Sequence, residues 1–127
     1  HVSVGLVAGD GGCVIWPQLI GYARAKKYLL TGEMIKAEEA LDMGLIAEVF
    51  AEDEIDNEVQ ALAEKLRDGA KYSIRWTKTS INAGLKVMAN SIIDRAAAFE
   101  NVTQLMEDHK IALEAFAKKE TPKFKQK

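Results

Sequence analysis

HVSVGLVAGDGG, residues 1–12, opens the chain and decides how the rest is read. His1 to Val7 alternates apolar and polar side chains, the period of a half-buried strand, and runs straight into Ala8-Gly9-Asp10-Gly11-Gly12. A helical pattern follows from Cys13 to Ile20. A strand feeding a glycine-rich turn and a helix start puts backbone N–H groups where they can face a ligand. The loop is not a nucleotide P-loop, since no Gly-Lys-Ser/Thr follows, and it lacks the spacing of a dinucleotide fingerprint. It offers close backbone approach beside a positive helix end, although a tight turn needing glycine for geometry alone would use the same residues. No methionine precedes His1, so the expectation is a chain cut from a longer one and carrying half of a site.

Outward from that loop, glycines punctuate a run of short elements. Gly21 stops the first helix, a second runs over Ala23 to Leu30, and Thr31-Gly32 ends it through a left-handed cap. Two helical turns over Ala37 to Met43 close at Gly44, and Leu45 to Phe50 reads as a short strand by propensity. From Asp53 onward the pattern is helical. Ile55, Val59, Leu62 and Leu66 share one face, and Ser73 starts a helix with Gly84 as an early end. Further helices begin near Ala89 and Asp108, and Pro122 ends the last. The expected fold is mainly α with a few short β-strands, divided into a strand–loop–helix unit over 1–52 and a helical bundle over 53–127.

Composition narrows the function. A length of 127 residues fits one domain, and a net charge of −2 with dispersed Lys and Arg gives no reason to expect nucleic acid. No apolar run is long enough to span a membrane. The single cysteine, Cys13, sits in an apolar stretch and suits a reducing cytoplasm as a small buried hydrophobe. Two distant histidines and one cysteine show no metal-ligand spacing, and no serine sits in a nucleophile elbow.

Two residues near the loop can titrate. Asp10 is placed either as the N-cap of the following helix or as a catalytic carboxylate, and His1 either as a proton donor or as a solvated terminal side chain. His109 lies among charges and reads as surface. Lys118, Lys119, Lys123, Lys125 and Lys127 make a basic tail, either simply solvated or able to meet phosphates.

Leu29-Leu30-Thr31-Gly32, Ile35, Ala37, Glu39-Ala40 and Gly44-Leu45-Ile46 resemble a signature of the enoyl-CoA hydratase/isomerase, or crotonase, superfamily. Val4-Gly5-Leu6, Gly11-Gly12, Pro17 and Leu19-Ile20-Gly21 fit the same family upstream. Lys78, Glu107-Asp108, Ala115-Phe116, Pro122 and Phe124 fit it downstream. The resemblance covers the whole chain but only the C-terminal half of a usual member. It implies the C-terminal part of a crotonase-like spiral fold whose N-terminal ββα core is missing.

Family members bind acyl-CoA thioesters and hold an enolate-like oxyanion with two backbone N–H groups. The resemblance places both donors, and the first of two hydratase glutamates, in the missing half. The second glutamate falls four residues before the glycine matched by Gly5, and His1 stands there. Plain hydration is therefore not expected. Isomerisation, thioester hydrolysis, decarboxylation and dehalogenation remain, with His1 or Asp10 as the titrating group. Gly9 and Gly11 match the loop beside the thioester, and Lys119 matches a lysine near the CoA phosphates, although Glu120 replaces a common arginine. No cofactor is expected beyond a coenzyme A thioester as ligand. The family implies homo-oligomers, and so do Val2, Val4, Leu6, Val7, Ile46 and Val49, which would otherwise stay wet, so a dimer, trimer or hexamer is expected. Two function classes stand: a truncated acyl-CoA enzyme, inactive alone or completed in trans by a separate N-terminal half, and a non-catalytic helical self-association module.

Overall fold

Glycines 21 and 32 shape the first helical stretch. In the computed structural model, which describes residues 1–125, α1 (Gly12–Thr31) is two helical pieces meeting at Gly21. There φ of 78° and ψ of 156° lie outside any helix. Gly32 turns left-handed at φ 70°, and its N–H donates to the Tyr28 carbonyl at 2.9 Å, closing α1. Helix α2 (Ala37–Asp42) opens with Glu38 and Glu39, whose charges suit a positive helix end. Tyr28 ties the two helices together by donating its hydroxyl hydrogen to Glu39 Oε1 at 2.5 Å. That bond holds the phenolic proton and pushes the Tyr28 pKa up, with burial acting in the same direction.

Three longer helices follow: α3 (Ile55–Asp68), α4 (Lys71–Gln104) and α5 (Glu107–Ala117). The sequence pattern allows an early end at Gly84, yet α4 runs through it for 34 residues. One glycine costs a helix interior only about 1 kcal/mol, which a long ladder on either side absorbs.

No strand forms among the described residues, against the few short ones expected. Val2–Val4 is a single 3₁₀ turn ended by Gly5 at φ 70°, and residues 45–50 take no regular structure. The physical reason is pairing. An extended segment gains its hydrogen bonds from a neighbour, and no described segment lies beside these two as a ladder partner. Val4 and Leu6 instead return their N–H groups to the His1 carbonyl, at 2.9 and 3.1 Å.

The buried interior is built mostly from small side chains. Ala8, Ala25, Ala40, Ala96, Ala112 and Ala115 are buried, with Val14, Ile20 and Tyr28 as the larger members. Ile20, Ala25 and Tyr28 form the centre, flanked by Trp16, Leu29, Ile35, Met43 and Leu45. Alanine at these positions lets α1 and α5 approach their neighbours closely. α1 packs on α4, and the 3₁₀ turn packs on both α1 and α5. Among the described residues no helix is long and apolar enough to cross a membrane.

Candidate functional site

The glycine loop is pressed against α4. A Cβ on Gly9 would strike the Ala96 carbonyl oxygen and lie 2.7 Å from both the Ala96 carbonyl carbon and Glu100 Oε2. Backbone cannot yield as a flexible side chain can, so this close approach requires glycine. Gly11 has a different need: its φ of 143° is backbone that other residues rarely adopt.

Asp10 does not cap α1. The N-cap residue is Gly11, with no side-chain bond. Asp10 turns instead to His1, whose Nε2 lies 3.1 Å from Asp10 Oδ1. The 3₁₀ turn makes this meeting possible by folding His1 back over the loop, where a straight strand would carry it away. Further ties hold that turn. Val7 N–H donates to Thr103 Oγ1 at 3.2 Å, and Thr103 Oγ1 donates to the Glu100 carbonyl at 2.8 Å. His109, expected at the surface, is half-buried, and its Nδ1 donates to the Val4 carbonyl at 2.7 Å.

Glu100 joins the pair. One ligating atom from each of His1, Asp10 and Glu100 lies within 4.8 Å of the other two. Glu100 had no signal in the sequence, because ninety positions separate it from Asp10 and only the packing of α4 on the loop brings it in. The constellation is an imidazole beside two carboxylates, a set able to accept, hold and return protons. Cys13 follows closely in the chain. Burial first, and the Asp10 charge second, push its thiol pKa up, which suits an inert side chain rather than a nucleophile.

Lys119 stands apart. It lies just past α5 at φ 57°, exposed, with its N–H donating to the Phe116 carbonyl at 3.0 Å. Of the residues the sequence singled out, the fold thus gathers His1, Gly9, Asp10 and Gly11 at one loop and leaves Lys119 on the C-terminal turn.

Comparison with known proteins gives the chain its family. The family model described as enoyl-CoA hydratase/isomerase matches residues 1–127. A short-chain-enoyl-CoA hydratase of Clostridium acetobutylicum is 34% identical over 123 residues, spanning 94% of this chain and 46% of that protein. An enoyl-CoA hydratase structure from Mycobacterium avium subsp. paratuberculosis superposes with a TM-score of 0.92 at 27% identity, covering 98% of this chain and 51% of the other. A β-diketone hydrolase from the cyanobacterium Anabaena, bound to (S)-3-oxocyclohexyl acetic acid, gives a TM-score of 0.76 at 25% identity, covering 87% of this chain and 42% of that one. The chain spans about half the length of these relatives. By its full-length family match, by identity and by fold, it belongs to the enoyl-CoA hydratase/isomerase family.

Proposed function

We propose that these 127 residues supply the C-terminal half of an acyl-CoA site and do not catalyse on their own. The observation that carries this reading is the His1–Asp10 pair at 3.1 Å, standing where the family resemblance puts a hydratase glutamate. Stabilising an enolate needs donors aimed at the developing oxyanion, and losing one typically costs about a hundredfold or more in rate. With both donors expected from N-terminal loops outside these residues, too little remains for turnover. A separately encoded N-terminal half could complete the site in trans.

Replacing a carboxylate by a histidine–aspartate pair moves the site away from plain hydration. Isomerisation, thioester hydrolysis, decarboxylation and dehalogenation stay compatible with it. The Anabaena β-diketone hydrolase supports widening the range to water attack on an activated ketone. In this reading Gly9 and Gly11 lie beside the thioester, Lys119 meets the CoA phosphates, and the ligand is a coenzyme A thioester with no further cofactor. The single cysteine suits a reducing cytoplasm. Calorimetric titration with acetyl-CoA and crotonyl-CoA tests the binding half. Saturable binding, weakened several-fold by Lys119→Ala, is expected, and no binding of either thioester would overturn the acyl-CoA role.

A second reading rests on exposed apolar surface. Val59, Leu62 and Leu66 of α3, and Tyr72, Trp76 and Ile81 of α4, are each more than half exposed, and Val4, Ile46 and Val49 are also exposed. At about 25 cal/mol per Å² of apolar area, covering such surface with a second copy would contribute several kcal/mol. Light scattering at micromolar concentration should then report a dimer, trimer or hexamer, and a monomer would contradict it.

A further inference from the structure

We propose that Glu100 completes, with His1 and Asp10, one coupled proton-transfer set, so that α4 supplies the third polar member of the loop site. The inference deepens the reading of a rebuilt acyl-CoA site and rests on it only for the substrate, not for the geometry.

Three observations point to it. His1 Nε2 and Asp10 Oδ1 are at hydrogen-bond distance, and a Glu100 carboxylate oxygen lies within 4.8 Å of both ligating atoms. The Glu100 side chain also reaches the loop itself, since a Cβ on Gly9 would sit 2.7 Å from its Oε2. Finally, Glu100 is half-buried, and its own carbonyl accepts the Thr103 hydroxyl that also holds Val7 N–H, so this turn of α4 is anchored to the loop segment.

A carboxylate at hydrogen-bond distance favours the charged form of an imidazole, and a second carboxylate close by adds to that effect. Such a set can take a proton from water and return it to a leaving atom without help from another residue. The titratable groups near this set include the Cys13 thiol of α1, which feels the Asp10 charge, and the His109 ring of α5, which is bonded to the Val4 carbonyl of the 3₁₀ turn.

Proton-detected NMR of the His1 ring in the 127-residue chain tests the proposal against pH. Asp10→Asn and Glu100→Gln should each lower the His1 midpoint by roughly half a unit to one unit, and the double variant by more than either. Far-UV circular dichroism establishes that each variant keeps its helices, and Asp94→Asn, also on α4, is the control expected to leave the midpoint in place. An unmoved midpoint in Glu100→Gln, with a shift in Asp10→Asn, would remove Glu100 from the set. Stoichiometric, saturable perturbation of the ring by added Zn²⁺ would overturn proton sharing in favour of a metal site. Thioester titration of the same samples separates the two readings. Lost binding with an intact midpoint shift fails only the acyl-CoA role, whereas intact binding with no shift fails only the three-member set.

Discussion

Around the glycine loop, backbones touch; along α3, large side chains stay in water. Gly9 meets Ala96 so closely that no side chain fits between them, and Ile20, Ala25 and Tyr28 of α1 are buried. No residue of α3 is buried, although Ile55, Val59, Leu62 and Leu66 form a clear apolar face. Both regions are strongly patterned, but only the first finds its complement within these residues. The difference teaches that amphipathic spacing predicts a helix well and its partner poorly.

Substitution energies should expose that contrast. Ile20→Ala opens space in the buried centre and should cost about 2–4 kcal/mol in denaturant unfolding, whereas Leu62→Ala on α3 should change stability by under about 0.5 kcal/mol at dilute concentration. Equal losses would erase the distinction. If copies associate through α3, the cost of Leu62→Ala should grow with protein concentration, which sharpens it.

Gly9→Ala comes next, at about 1–3 kcal/mol, because a methyl group forces the loop away from the Ala96 backbone. It should also move Glu100 from His1, visible as a changed His1 ring signal. Gly32→Ala should cost about 1 kcal/mol through its left-handed backbone, with contact against Ser3 and Val2 adding to it.

The smallest effect is one of pH. The Tyr28 hydroxyl has its pKa raised in the fold by the bond to Glu39, so its contribution is fully present below the ordinary value near 10 and fades as pH rises through the folded value. Tyr28→Phe should therefore narrow its stability deficit against the parent chain as the solution is made strongly alkaline. A deficit independent of pH would deny the bond its role.

Much of the fold was legible because glycines and apolar spacing are local signals. Gly21 and Gly32 mark the break and end of α1, and the signature over residues 29–46 carries the family. The opening 3₁₀ turn was not legible, since alternation at His1–Val7 reports two-sidedness but not whether a pairing neighbour exists. Without a ladder the segment curls into a 3₁₀ turn, and that curl brings His1 to Asp10. Gly84 misled in the other direction, because a breaker matters little inside a 34-residue helix. Asp10 looked like a cap because Asp before a helix usually is one; Gly11 took the cap position and freed the carboxylate. Glu100 could not be found by spacing at all, as its role depends on how α4 packs.

The most direct test is a continuous assay of crotonyl-CoA with the purified 127-residue chain, followed by loss of enoyl absorbance at saturating substrate. No rate above the uncatalysed background is predicted. Turnover that survives repurification and falls with Asp10→Asn would contradict the account, since these residues would then perform by themselves the chemistry proposed to need a second half.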